Sequence, residues 1–298
     1  MISYSEFIKE SLLCFERLFP GAKIQVSPVY KNNDQRFDSL SVFEKNQTVS
    51  PSIYLNHFYE IYQDTSDLEG TFRIMENFYR SHLKDLPAFP LDFLNFDKLK
   101  PQIGCRLLSV KRNRHLLEDL PFLPFLDLAM VFFYLVSSSD SGQASILITK
   151  KHLECWGISQ NTLWESAMQT APSAYPPLLI SLPDLLFELT ASASGAEMSL
   201  PLYVLTNEEK FYGASAMLYP DVLSDFSQKM KSDLYIIPSS IHEVLLLPVN
   251  AIGYPEQLDL LIQEVNKDHL APEDILSDHA YYYSRLEKRI LMHAPVSE

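Results

Sequence analysis

Apolar residues recur every three or four positions at the start of the chain. Phe7, Ile8, Leu12, Phe15 and Phe19 fall on one side of a helix. Ser3 with Glu6 three residues on forms a capping box ahead of that stripe, and Pro20 with Gly21 ends it. The period then changes to two: "AKIQVSPVY" and "FDSLSVFEK" alternate as strands do, and the polar "KNNDQ" between them supplies a turn. A helix leading into a hairpin is therefore expected. A second box, Ser66 with Glu69, opens a helix whose stripe is Leu68, Phe72, Met75 and Tyr79.

Further along, "FLNFDKL" predicts a short helix, "IGCRLLSV" a strand and "NRHLLEDL" another helix. The apolar run at 128–136, rich in Val, Phe and Tyr, predicts a buried strand, with "SSSDSGQ" as a hairpin loop and "ASILITK" as the return strand. Gly157 marks a turn and Ser159 an N-cap before a helix, with Trp156 and Trp164 expected to anchor the core. "TASASGAEMS", residues 190–199, replaces bulky residues with small ones and is the linker candidate. After it come a strand ("LYVLT"), a stretch holding a helix, two strands around position 240, a helix over Pro255–Asn266, and two short strands in "HAYYYSRLEKRILM". Repeated hairpins with isolated helices give an α+β class: mainly antiparallel sheet with helices packed on one face. Two lobes are expected, 1–189 and 200–298, flanking the linker.

Composition narrows the function classes. The formal charge of −14, from 38 acidic and 24 basic residues, disfavours phosphate backbones and anionic lipid, so neither nucleic acid nor membrane is expected as a partner. Lys111, Arg112, Arg114 and His115 form a basic cluster that suits a solvated helix face. Eight glycines leave little material for phosphate loops, and Walker and Rossmann patterns are absent. Cys14, Cys105 and Cys155 are odd in number and far apart, which indicates neither a disulfide framework nor a zinc knuckle and fits a reducing, cytoplasmic compartment. Glu6 and Glu10 stand where a signal peptide needs a basic and then apolar stretch. The longest apolar run, 121–136, is shorter than the ~20 residues that cross a bilayer.

Three stretches carry candidate chemistry. In "SDLYIIPSSIHEVLLLPV", Ser239, Ser240, His242 and Glu243 lie between two greasy strands, so their side chains are expected to splay outward from a tight connection, with a serine capping the turn. The alternative is a hydrolase in which a serine is the nucleophile, His242 the base and Glu243 the orienter. "YGASAM" holds half of a nucleophile elbow, but Met217 replaces the second glycine. His57 with Glu60, and the group His269, Glu273, Asp274, Asp278 and His279, are candidate metal ligands outweighed by surface roles, so no metal and no cofactor is expected.

The segments "YLNHFYEIYQD", "LDLAMVFFYLV", "HLECWGI", "VLTNEEKFYGASAMLYPDVL", "SDLYIIPSSIHEVLLLP" and "LSDHAYYY", in that order, resemble the domain-of-unknown-function family 5688, found mainly in Firmicutes. "WGIS" and the stretch from Tyr203 to Val249 are more distantly similar to YtpQ-like bacterial proteins. The resemblance implies a bacterial cytoplasmic protein and no reaction. It puts recurrent positions at Tyr54, Asn56, Tyr59, Asn207, Gly213, Ser239, Ser240, His242 and Glu243, while His57 stands where other residues are usual. A binding or interaction protein for a small molecule or another protein is expected, with those polar residues as its contact set.

Overall fold

The computed structural model describes residues 1–45, 50–84, 93, 95–139, 142–182, 201–251 and 257–293. Two compact units divide the chain, 1–91 and 92–298. The expected linker, 190–199, lies outside the described residues; the strands that flank it are neighbours in one sheet, and the chain divides instead near residue 91.

In the first unit, helix α1 (Tyr4–Leu18) begins at the Ser3–Glu6 capping box, which the structure forms in both directions. Strands β1 (Lys23–Tyr30) and β2 (Arg36–Phe43) pair antiparallel, Lys23 opposite Phe43 through Tyr30 opposite Arg36, and the short β3 (Ile53–Tyr54) joins β2. Helices α2 (Leu55–Thr65) and α3 (Leu68–Lys84) follow. Phe7, Phe15, Leu40, Met75 and Tyr79, all fully buried, form this unit's core. The expected Ser66 box is corrected: Ser66 ends α2 in a left-handed conformation, and Asp67 caps α3 through a 2.9 Å bond from the Gly70 N–H to its carboxylate. Asp67 offers a carboxylate acceptor at the positive end of the helix, which serves an orphan N–H better than a hydroxyl one residue earlier.

The described residues of the second unit form two antiparallel sheets. One is ordered β4 (Ile103–Ser109), β6 (Leu128–Ser139), β5 (Leu123–Phe125), with β7 (Gly142–Leu147) also on β6. The other runs β13 (Arg289–Met292), β12 (Tyr281–Ser284), β10 (Leu234–Pro238), β11 (Val244–Pro248), β9 (Tyr203–Asn207), β8 (Pro177–Ser181). Helices α4 (Phe96–Leu99), α5 (Arg114–Asp119), α6 (Lys150–Trp156), α7 (Gln160–Ala174), α8 (Val222–Met230) and α9 (Leu258–Asp268) belong to the same unit. Leu107 and Phe132 of the first sheet share a core with Leu205, Ile236, Leu246 and Tyr281 of the second. Every described strand pair is antiparallel, so the α+β class holds.

One further local expectation changes. Ser159 does cap α7, but Trp164 on that helix is exposed, and only Trp156 anchors, its indole N–H donating to the Phe93 carbonyl at 2.8 Å. Gly104 explains an approach across β4: a Cβ there would lie 2.5 Å from the Phe133 ring and 2.8 Å from Tyr175.

Candidate functional site

Strands β10 and β11 pair up to Pro238 opposite Val244, leaving residues 239–243 as the connection. The Ser240 N–H donates to the Glu243 carbonyl at 3.1 Å, closing a tight turn. Within it the side chains do not splay. Ser240 Oγ donates to Glu243 Oε1 at 2.9 Å, Ser239 Oγ reaches the same oxygen at 3.2 Å, and Ser240 Oγ accepts from the His242 N–H at 3.0 Å. The outward splay is thus corrected. One carboxylate gathers both hydroxyls because a turn this short leaves buried donors that need an acceptor.

The imidazole goes elsewhere. His242 Nδ1 accepts from the Tyr212 N–H at 3.2 Å, the two rings stack at 5.6 Å with 13° between planes, and Nε2 lies 3.7 Å from Asp274 Oδ1. With Nδ1 accepting, the neutral ring carries its proton on Nε2 and presents a donor toward Asp274. Neither serine hydroxyl is bonded to the ring, whereas a serine relay needs the nucleophile on the base. Burial raises the Asp274 carboxyl above its ordinary value; His242 opposes this, and Glu273 and Glu243 add to it.

β9 brings a third segment to the turn. Leu205 pairs with Val244, so Thr206 comes alongside and its hydroxyl donates to the His242 carbonyl at 2.8 Å. Asn207 then braces the following loop: its amide oxygen accepts from the Phe211 N–H and its amide nitrogen donates to the Phe211 carbonyl, at 3.1 and 2.9 Å. Lys210 and Tyr212 both take positive φ in that loop. Gly213 follows because a Cβ there would sit 2.6 Å from both the Asn207 nitrogen and the His242 carbonyl oxygen. Tyr212 also lies over Arg106, the guanidinium carbon 4.6 Å from the ring centroid.

Five of the sequence candidates thus meet here: Asn207, Ser239, Ser240, His242 and Glu243. Tyr54, Asn56 and Tyr59 belong to the first unit, where each has a local partner. Lys31 Nζ lies 4.1 Å above the Tyr54 ring, Asn56 Oδ1 accepts from the Asp38 N–H at 2.8 Å, and the Tyr59 hydroxyl donates to the Ile2 carbonyl at 3.1 Å. His57 and Glu60 are 3.8 Å apart and largely exposed. Among the described residues no group of three or more His, Cys, Asp or Glu could hold a metal ion. Asp278 instead meets Arg112, and His279 meets Asp259. Ser215 of "YGASAM" is fully buried in a 3-10 helix, Gly213–Leu218, and burial pushes the Cys105 thiol beside it up to about 11, so neither presents the exposed, activated side chain that a nucleophile needs.

Tyr212, Thr206 and Arg106 were not singled out from the sequence, and Asp274 was named there only among the candidate metal ligands. The one available signal was Arg106 itself, a charge inside the otherwise apolar strand pattern "IGCRLLSV". No described helix is long and apolar enough to cross a membrane.

No curated protein and no solved structure matches the chain. A family model described as "Family of unknown function (DUF5688)" matches residues 4–285. The segments quoted above lie within that span, and with nearly the whole chain matched, this protein belongs to the DUF5688 family.

Proposed function

We propose that the chain is a non-enzymatic binding protein of the bacterial cytoplasm whose ligand face is the corner made by residues 207–213, the 239–243 turn and Asp274. The observation that carries this is the imidazole. Its Nδ1 is committed to the Tyr212 N–H, so Nε2 offers a hydrogen-bond donor beside the Asp274 carboxylate, both side chains keeping roughly a third of their surface exposed. A fixed donor beside a carboxylate acceptor orients a polar ligand and lacks the nucleophile contact that hydrolysis needs. The free state of Cys14, Cys105 and Cys155 suits a reducing compartment.

Native mass spectrometry after incubation with a small-molecule extract tests this. A bound mass is expected on the wild type and is lost in His242→Ala and in Asp274→Asn. Fluorophosphonate labelling that disappears in Ser240→Ala would overturn the proposal in favour of a hydrolase.

A further inference from the structure

Strand β4 is buried along its whole length, and Arg106 sits in its middle with 5% of its surface exposed. Directly opposite on β6 is Val131, an apolar neighbour. Among the described residues no carboxylate pairs with the guanidinium, and its Nε–H is buried with no acceptor. The Tyr212 ring covers one face. Burial lowers the Arg106 pKa from its ordinary value, yet a guanidinium does not give up its proton in a protein, so the charge stays.

Stacking uses the flat face of a guanidinium; the Tyr212 hydroxyl also hydrogen-bonds to Arg106, yet among the N–H groups that lie in its plane the Nε–H has no acceptor. Those groups form the fork that grips two oxygens of one carboxylate or phosphate. A buried cation without a counter-charge is costly, and structures keep such groups where a partner completes them. The cover is held in place as well: Tyr212 adopts a left-handed backbone at φ 53°, Asn207 braces the loop before it, and Gly213 lets it pack against the turn. Backbone of that kind in a non-glycine residue gathers at ligand sites.

We infer that Arg106 anchors an oxyanion subsite, in which a carboxylate or phosphate group of the ligand is gripped by the in-plane N–H groups beneath Tyr212. This rests on the binding role proposed above and adds the chemical class of ligand. The net charge of −14 does not oppose it at close range, since exposed charges are screened beyond about 8–10 Å at physiological salt while a buried guanidinium is screened far less.

The test is thermal unfolding of the full chain titrated with inorganic phosphate and, separately, with succinate, against sodium chloride at matched ionic strength. A saturable rise in the wild-type midpoint of about 3–5 °C at ten times the dissociation constant is expected with at least one of the two, and which ion acts distinguishes phosphate from carboxylate. Arg106→Met removes the rise and, in chloride alone, melts at or above the wild-type midpoint. Arg106→Lys, which keeps the charge and loses the fork, weakens the response at least tenfold. No saturable response in the wild type to either ion overturns the inference whatever the variants do, as does a full response in Arg106→Met. If that happens while the His242-dependent bound mass persists, the subsite alone is refuted; if the ions act and no such mass is found, the donor–acceptor corner is refuted instead.

Discussion

Two arginines, one in the middle of β4 and one just beyond its end, receive opposite treatment. Arg112, just beyond β4, keeps about a third of its side chain exposed and has a partner: its Nη2 reaches both oxygens of Asp278, at 2.9 and 2.8 Å, and Asn266 adds a third hydrogen bond at 3.0 Å. Arg106, six residues earlier, is buried and has an aromatic ring where a carboxylate would be expected. Stability alone favours the reverse arrangement, because an exposed cation is solvated for little cost and a buried one is not. That contrast marks Arg106 as the place where function is to be sought. The fold gives Arg112 a carboxylate of its own and gives Arg106 only the ring and hydroxyl of Tyr212, with no counter-charge.

The largest effect is expected where the cover over Arg106 is built. Gly213→Ala places a methyl 2.6 Å from two backbone atoms that cannot move aside as a side chain would. Denaturant unfolding should show a loss of about 3 kcal/mol, and a loss under ~1 kcal/mol would mean that the loop carrying Tyr212 is not fixed as described. Next comes the contrast itself. Arg112→Met strands the Asp278 carboxylate and should cost about 1–2 kcal/mol, less than for a fully buried pair, whereas Arg106→Met in chloride should leave stability unchanged or raise it by about 1–2 kcal/mol. Equal losses in both would erase the distinction.

Ser240→Ala removes an acceptor from the His242 N–H and a donor from Glu243, and should cost about 1 kcal/mol, with Ser239→Ala nearer ~0.5 kcal/mol because its one bond is longer. The ordering is what matters, since it separates a turn held by Ser240 from a nucleophile.

The smallest effect is in pH dependence, and its sign differs between two aspartates. Burial alone would raise the Asp278 pKa, but the hydrogen bonds from Arg112 and Asn266 and the Arg112 charge outweigh it and hold the group below its ordinary value. A depressed carboxyl contributes stability that is complete above the unfolded value near ~3.9 and is lost as pH falls through the folded value. Arg112→Met should flatten that acid limb. Asp274 is raised, so its contribution is present below the unfolded value and is lost as pH rises through the folded one. Asp274→Asn should therefore gain relative to wild type above that range, as denaturation midpoints across about pH 3–6 would register.

Much of the fold was legible because local signals agreed with it. The Ser3–Glu6 box, the "KNNDQ" turn and the two greasy runs on either side of position 240 are each read from a few neighbouring residues, and each appears in the structure. Strand β8 was missed, since "PLLIS" is short, has no alternation and begins at a proline; only its pairing with β9 makes it a strand. Trp164 misled because a large aromatic at helical spacing fits either face of an isolated helix. At the site, the serines and Glu243 were visible as neighbours in sequence. Their convergence was not, because the direction of a side chain in a turn depends on the backbone that closes it. The stack of Arg106, Tyr212 and His242 joins residues 106, 212 and 242 through contacts between two sheets, and no local period encodes such a meeting.

The most direct test of the central claim is the guanidinium Nε–H resonance of Arg106, followed by nuclear magnetic resonance while inorganic phosphate or succinate is added, with Arg112 as the internal reference. The Arg106 signal is expected to move saturably with at least one of the ions while Arg112, already held by Asp278, stays in place. An Arg106 signal that ignores both ions, or moves only in step with Arg112, would contradict the account.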